Sequence, residues 1–198
     1  MIPTMIYLAS TSPRRRELLD QIGVSHVLLQ VDVDEQVFVN ESPEAYVRRL
    51  AQAKAVAGLH CRQVVNEPHP VLAADTAVVI DNDILGKPRD QSEGLAMLAA
   101  LSGRCHQVLT AVALADQRQV RLALSRTEVC FRQLSAEECL AYWNSGESVD
   151  KAGAYAIQGR AAMFISHISG SYSGVVGLPL YETACLMQAA GGAAELEV

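Results

Sequence analysis

A carboxylate stands at a position of the sequence where an apolar side chain is expected. Residues 71–80 form a nearly all-apolar run that predicts a buried strand, and Asp75 and Thr76 interrupt its centre. A buried carboxylate costs several kcal/mol unless another group pairs with it. An aspartate at a frayed strand end, or one bonded to nearby backbone groups, is the alternative. The uniformly apolar flanks favour a functional acid or a metal ligand.

Three consecutive arginines, Arg14 to Arg16, follow a short apolar run and begin a predicted helix. Guanidinium groups beside the free N–H groups of a helix start form a receptor suited to a polyphosphate. A solvated helix start is the alternative, although cations there are mildly unfavourable because of the helix dipole. Lys54 and Lys87 are candidates for further cations at the same anion site.

The polar segment 145–159 has the composition of a binding loop. Its Asp150, Lys151 and Gln158 differ in chemistry, and small residues flank them without helical or strand periodicity. The sequence contains no zinc-ligand cluster and no GxGxxG, Walker or GxSxG motif. The segment therefore predicts a ligand contact that common motifs do not describe.

Histidines and cysteines show no spacing typical of a metal site. We expect His60, His69 and His106 to lie at turns or element ends in contact with solvent. The cysteines are odd in number, without a CxxC spacing, and have apolar neighbours, which indicates reduced thiols in the core. They are found at positions 61, 105, 130, 139 and 185.

Alternating strands and helices must position these side chains. Strands are predicted over residues 5–10, 26–31, 71–80, 84–85, 106–114, 120–131 and 163–168. Helices are predicted to begin at Pro13, Ser42, Asp90, Ser135 and Leu178, and to end near Gly23, Gly58, Gly103, Gly146 and Ala190. Loops are expected over 32–35 and 169–174, a turn over 66–70 and a disordered tail after Gly192.

This order of elements predicts an α/β fold. The sheet is expected to be mixed and wrapped by helices, with an antiparallel insertion around residues 104–133. A cleft should lie where the polar loops converge. With 198 residues, of which 50% are hydrophobic and 19% charged, the chain is predicted to form a single domain over 1–198.

Charge and hydropathy exclude two classes of partner. The formal net charge of −6 has the wrong sign for a protein that holds long nucleic acid by neutralising phosphates. The N-terminal stretch fits neither a secretory signal nor a membrane span, and no run of about 18 apolar residues occurs elsewhere. We therefore expect a cytoplasmic protein with no membrane partner.

Seven ordered blocks of the sequence are recognisable: LASTSPRRRELL (8–19), YVRRLAQAKA (46–55), VLAADTAVV (71–79), ILGKPRD (84–90), LSGRCHQVLTAV (101–112), SGESVDKAGAYAIQG (145–159) and GSYSGVVGLPLYET (170–183). Together they resemble the Maf family of nucleoside triphosphate pyrophosphatases along the whole chain. The resemblance implies an elongated Maf/ITPase-like fold with a central mixed β-sheet and two lobes around a deep cleft, and a homodimer in the cytoplasm. It also implies hydrolysis of a nucleoside triphosphate between the α and β phosphates, assisted by a divalent cation, Mg²⁺ or Mn²⁺.

The resemblance also assigns residues of this chain. Asp75 matches the proton acceptor of the family. Glu35 is expected to share the metal ion with Asp75 and the substrate oxygens, and Asp34 is an alternative ligand. Polar cleft positions expected to bind the phosphates are Ser10, Arg15, Lys54 and Lys87.

Three positions separate branches of the family, and this chain has Arg14, Thr76 and Gln158 there. In this it resembles the branch acting on dTTP and UTP, whereas a sister branch acting on 7-methyl-GTP tends to have Trp, Ser and Glu. A glutamine amide offers a donor and an acceptor, which matches the edge of uracil or thymine. A 7-methyl-GTP or other modified-nucleotide pyrophosphatase is the alternative enzyme, and a septum-formation regulator that acts by binding is the non-enzyme alternative.

Overall fold

The computed structural model describes residues 5–63 and 69–191, which form a seven-stranded mixed sheet with helices on both faces. The strands are β1 (Met5–Ala9), β2 (Ser25–Leu29), β3 (Val71–Ile80), β4 (Asp83–Leu85), β5 (Cys105–Ala115), β6 (Val120–Phe131) and β7 (Ile165–Ser169). The helices are α1 (Pro13–Gln21), α2 (Pro43–Gln63), α3 (Gln91–Leu101), α4 (Ala136–Asn144), α5 (Tyr172–Val176) and α6 (Leu180–Gly191). The predicted turn at 66–70 lies mostly outside the described residues, and the predicted tail lies wholly outside them.

Strand β3 organises the sheet, whose order is β2-β1-β3-β5-β6-β7. Along one edge, β3 pairs antiparallel with β5 over residues 71–79. Along the other edge it pairs parallel with β1 at residues 71–72 and antiparallel with β4 at residues 78–80. No described strand covers residues 73–77 on that side. The sheet is therefore open at the middle of β3, where Asp75 lies.

Side chains of β3 alternate between two apolar clusters, as they must in a strand. Leu72 and Val78 pack in the cluster that contains residues of α1, α3, α4 and α6. Ala73 and Ala77 pack in the cluster that contains residues of α2. The alternation puts Asp75 on the face covered by α2 and Thr76 on the opposite face.

Helix α2 is longer than the sequence predicts. Gly58 is expected to end it, but the helix continues to Gln63. A Cβ at residue 58 would lie 2.6 Å from Cγ1 of Val71 and 3.2 Å from Cβ of Ala9. The glycine therefore serves close packing of α2 on β3 and β1, and this contact brings Lys54, one turn earlier, over the sheet. No helix in the described ranges is long and apolar enough to cross a membrane.

The segment before the last helix also differs from its prediction as a loop. Helix α5 begins there, and the Oγ of its N-cap Ser171 accepts a hydrogen bond from the N–H of Gly174 at 3.0 Å. Gly177 then adopts φ +131°, which ends the helix. The final helix starts at Leu180, two residues later than predicted.

The prediction that all cysteines are reduced core thiols is wrong. Cys105 and Cys130 form a disulfide between β5 and β6. They are direct partners in the antiparallel register, so two residues that are distant in sequence lie side by side in the sheet. Of the others, Cys139 is buried, whereas Cys61 and Cys185 are exposed.

The prediction of a solvated His106 is also wrong. Its side chain is buried, and its Nε2 lies 2.8 Å from the hydroxyl oxygen of Tyr155. The ring packs edge-on against Phe131 and Tyr155. Nδ1 has no hydrogen-bond partner among the described residues. Burial therefore lowers the pKa of His106 to about 4 from its ordinary value of 6.5.

We predict that His106 makes the protein sensitive to mild acid. Between pH 6.5 and 4 the unfolded chain binds a proton at this residue and the folded chain does not, so the free energy of unfolding falls as pH falls. The stability difference between wild type and His106→Gln should shrink by roughly 3 kcal/mol from pH 7 to pH 4 in urea titrations. His60→Gln, exposed on α2, is the control. If the difference in free energy of unfolding from wild type did not change with pH for either variant, a neutral buried His106 would be contradicted.

Candidate active site

A lysine between two carboxylates forms the centre of the site. Nζ of Lys54, from α2, donates to Oδ1 of Asp75 at 2.7 Å and contacts Oε1 of Glu35 at 2.5 Å. Asp75 comes from the open stretch of β3, and Glu35 comes from the loop between β2 and α2. Lys54 is therefore the partner that a carboxylate in an apolar strand requires.

The two carboxylates differ in proton affinity. Burial raises the pKa of Asp75 above its ordinary value, although the positive charges of Lys54 and Arg15 oppose the shift. Burial acts on Glu35 in the same direction, but there the hydrogen bond and charge of Lys54, with help from Lys87 and Arg15, prevail, so the pKa of Glu35 is lowered. The shift makes Asp75 a stronger base than an ordinary aspartate, whereas the shift of Glu35 makes it a weaker base than an ordinary glutamate.

Tyr46, on the same helix as Lys54, fixes the loop that carries Glu35. Its hydroxyl donates to the backbone oxygen of Glu35 at 3.1 Å. Burial and the negative charges of Asp75 and Glu35 raise the pKa of Tyr46 to about 12. No functional role is predicted for this tyrosine from the sequence, because a helix pattern cannot reveal a contact with a preceding loop.

The guanidinium of Arg15 forms three hydrogen bonds within the protein. Its Nε donates to the backbone oxygen of Gly177 at 2.8 Å, and Nη1 donates to Oγ of Ser10 at 3.1 Å. Nη2 donates to Oγ1 of Thr76 at 3.5 Å. Burial lowers the pKa of Arg15, while Asp75 acts in the opposite direction. A guanidinium has five N–H donors, so two remain for a ligand in the cleft.

The hydroxyl of Thr76 is committed within the protein. Oγ1 of Thr110 donates to the backbone oxygen of Gly174 at 2.8 Å and lies 3.0 Å from Oγ1 of Thr76. Because the proton of Thr110 is used on Gly174, Thr76 donates to Thr110 and accepts from Arg15. This chain of bonds joins β3, β5, α1 and α5.

One cleft with a volume of about 680 Å³ brings the predicted residues together. Asp34 is not among the residues that line it, and its Oδ1 instead accepts the N–H of Gln36 at 2.9 Å. Lys151, predicted from the sequence to lie in a binding loop, also lines the cleft, and so does Tyr155, for which no role is predicted from the sequence. The predicted site residues that line it are Ser10, Arg14, Arg15, Glu35, Lys54, Asp75, Thr76, Lys87 and Gln158.

Two buried phenols anchor the segment that presents Gln158. The hydroxyl of Tyr142 accepts the N–H of Ala156 at 3.1 Å, and that of Tyr155 contacts His106. Both rings belong to the apolar cluster on the α1 side of the sheet. The segment predicted to be a binding loop is therefore fixed against the core at adjacent residues.

The oxygen donors of the cleft fit a hard divalent cation. Asp75 and Glu35 each keep a second carboxylate oxygen that is not bonded to Lys54, and Mg²⁺ and Mn²⁺ favour such ligands together with phosphate oxygens. A second group, Cys105, Glu128 and Cys130, has its ligand atoms within 4.8 Å of one another. Its cysteines form the disulfide, so it offers no thiolates.

The sequence of this chain is similar to known proteins along nearly its whole length. The sequence model described as Maf-like protein matches residues 5–190. A protein from Saccharophagus degradans named dTTP/UTP pyrophosphatase is 54% identical over 184 residues, covering 93% of this chain and 88% of its own. Proteins of the same name from Alkalilimnicola ehrlichii and Nitrosomonas europaea are each 55% identical, covering 92% and 94% of this chain and 91% and 94% of their own.

Similarity to solved structures is lower. A nucleoside-triphosphatase, described as a dITP/XTP pyrophosphatase, from Mycobacterium abscessus aligns with a TM-score of 0.42 and 21% identity, covering 64% of this chain and 72% of its own. The Ham1 protein of Staphylococcus aureus aligns with a TM-score of 0.43 and 12% identity, covering 64% and 71%. The match from residue 5 to residue 190 and the identity above one half with full-length relatives agree: the chain belongs to the Maf family.

Proposed function

We propose that the protein hydrolyses dTTP and UTP to the nucleoside monophosphate and pyrophosphate, and so removes these nucleotides from the cellular pool. The observation that carries the proposal is Asp75, a buried carboxylate held by Lys54 on the wall of a polar cleft. Relatives more than half identical over nearly the whole chain are named dTTP/UTP pyrophosphatase, which supports the same substrates.

Asp75 acts as the general base in this proposal. A water in the cleft gives a proton to its carboxylate while the water oxygen bonds to the α-phosphorus. The bond from that phosphorus to the bridging oxygen breaks, and pyrophosphate leaves with the electron pair. Burial prepares Asp75 for this step because it raises the pKa of the carboxyl group.

Cations of the cleft stabilise the charge that develops on the leaving group. Lys87 and the two uncommitted N–H groups of Arg15 meet the phosphates, together with Oγ of Ser10. Lys54 already bonds two carboxylates, so it has one N–H left for a phosphate oxygen and mainly positions Asp75.

Glu35 and Asp75 would hold a divalent cation, Mg²⁺ or Mn²⁺, through the oxygens that Lys54 does not use. Such an ion, when bound, supplies positive charge beside the phosphate oxygens. Lys54 stays important in its presence, because it orients both carboxylates from the side of α2.

Gln158, Arg14 and Thr76 select the base in this proposal. The amide of Gln158 can donate to a pyrimidine carbonyl and accept from N3–H, and the backbone near it is anchored at Ala156. Thr76 contributes through its fixed hydroxyl, since its bonds to Thr110 and Arg15 leave little freedom to rotate. A 7-methyl-GTP pyrophosphatase is the alternative. Turnover rates on a panel of nucleotides distinguish it from a dTTP and UTP pyrophosphatase.

A homodimer and a cytoplasmic location belong to the same proposal, because the family resemblance implies both. Val37, Phe38 and Val39 expose apolar side chains in the loop after β2, a surface suited to burial against a second copy. Sedimentation of the purified protein tests the dimer.

We predict that Asp75→Asn folds and loses turnover by about a hundredfold or more, because it removes the base and keeps the shape. Pyrophosphate release from dTTP with Mg²⁺ is the measurement. Asp34→Asn is the matched control: it changes a carboxylate beside Glu35 outside the cleft lining, and it should retain turnover within a few-fold. Near-normal turnover of Asp75→Asn would move the base to Glu35.

We predict that Lys87→Ala lowers kcat/KM by about 10- to 100-fold for every nucleotide alike, because a phosphate contact carries no base information. The measurement compares dTTP, UTP and 7-methyl-GTP. Arg89→Ala is the control, since this nearby arginine is exposed, pairs with Glu93 and lies outside the cleft lining. A strong change in the UTP to 7-methyl-GTP ratio would place Lys87 at the base instead.

We predict that Gln158→Glu lowers kcat/KM for dTTP by roughly tenfold to a few hundredfold, because a carboxylate oxygen would face a pyrimidine carbonyl. Activity on 7-methyl-GTP should rise only weakly, since Arg14 and Thr76 remain. Gln52→Glu adds the same charge at an exposed position of α2 and should leave the ratios unchanged. An unchanged pyrimidine preference in Gln158→Glu would remove this residue from base selection.

A further inference from the structure

Lysine is confined to the cleft in this protein. The chain contains three lysines and thirteen arginines. Lys54, Lys87 and Lys151 are far apart in the sequence, yet all three line the same cleft. The proposed function uses Lys54 and Lys87 and assigns nothing to Lys151.

Arg14 and Arg15 also line the cleft, whereas seven arginines outside its lining are neutralised by acidic side chains. Nζ of Lys151 donates to the backbone oxygen of Val149 at 3.2 Å, and no carboxylate of the described residues forms an ion pair with it. Lys151 thus differs from the arginines that pair with acidic side chains, which are Arg49, Arg89, Arg104, Arg121, Arg126, Arg132 and Arg160.

Two cations and two carboxylates act on the charge of Lys151. Burial and the nearby charges of Arg14 and Lys87 lower the pKa of Lys151, against the opposing effects of Asp150 and Glu147. Three cations that face one cleft repel one another in the free protein. An anion with several charges removes that repulsion, and a polyphosphate supplies it.

The backbone around Lys151 is held in an unfavourable conformation. Asp150 has φ +62° and Ala154 has φ +59°, and neither is a glycine. Residues with side chains rarely adopt this region, and such strain persists where the surrounding structure imposes it, often at functional sites. The N–H of Gly153 donates to the backbone oxygen of Gly86 at 3.0 Å. That bond ties the Lys151 segment to the residue next to Lys87.

We propose that Lys151 binds the pyrophosphate portion of the substrate together with Lys87, and holds pyrophosphate until it is released. The inference deepens the proposed function and rests on it. Lys54 orients the base on the sheet side, Gln158 meets the nucleobase, and Lys151 and Lys87 meet the β and γ phosphates from two segments joined at Gly86 and Gly153.

Binding of inorganic pyrophosphate tests the proposal without turnover. Calorimetry with Mg²⁺ should show an affinity about 10- to 100-fold weaker in Lys151→Gln than in wild type, and partial recovery in Lys151→Arg. Arg160→Gln removes one charge from the same segment outside the cleft lining, so its affinity should stay within about twofold. Equal affinity in wild type and Lys151→Gln, or no pyrophosphate binding by wild type, overturns the proposal.

Amine labelling gives a second, independent readout. Because all three lysines line the cleft, trace acetylation followed by peptide mass spectrometry reports on this cleft directly. Pyrophosphate should protect Lys151 and Lys87 at least several-fold, and unchanged labelling of Lys151 contradicts the proposal. Protein that binds pyrophosphate through Lys151 but releases none from dTTP would refute the proposed function alone, whereas turnover without protection would refute the role of Lys151 alone.

Discussion

The burial of one negative charge in the central strand determines how this site is built. Asp75 lies among apolar residues of β3, and the contact with Lys54 at 2.7 Å makes that burial tolerable. The lysine can reach it only because α2 packs closely on the sheet, which Gly58 permits. The opening between β1 and β4 then gives the carboxylate access to the cleft. The chemistry of the site therefore depends both on the packing of α2 and on the gap in the strand pairing of β3.

Alternation along β3 separates two tasks at neighbouring residues. Asp75 faces α2, with Lys54 and Glu35, and is the base of the proposed function. Thr76 points to the other face, where Arg15 and Thr110 fix its hydroxyl. The cleft at the open stretch of the strand reaches both residues, so the proposed base and the proposed selectivity residue are neighbours on one strand. This explains why the polar interruption of an otherwise apolar strand consists of two adjacent residues.

Local patterns predicted most of the strands and helices and the position of the anomaly at Asp75, because periodicity and caps are local properties. Contacts between distant segments could not be predicted in the same way. The pairing of Cys105 with Cys130 depends on the register of β5 and β6, and the burial of His106 depends on Tyr155 packing over it. Gly58 was predicted to end a helix because its alternative role, close packing on Val71, needs the tertiary structure. Lys151 was noticed as a polar loop residue, but its role becomes apparent only when all lysines are found in one cleft.

The central claim is that Asp75 accepts the proton of the attacking water. A crystal structure with a dTTP analogue whose α–β bridging oxygen is replaced by a methylene group tests this most directly. The account predicts a water within hydrogen-bond distance of the Asp75 carboxylate, in line with the α-phosphorus and the methylene carbon, with the terminal phosphates toward Lys87 and Lys151. A water in that position that is hydrogen-bonded to Glu35 alone, while Asp75 bonds only to Lys54, would contradict this claim.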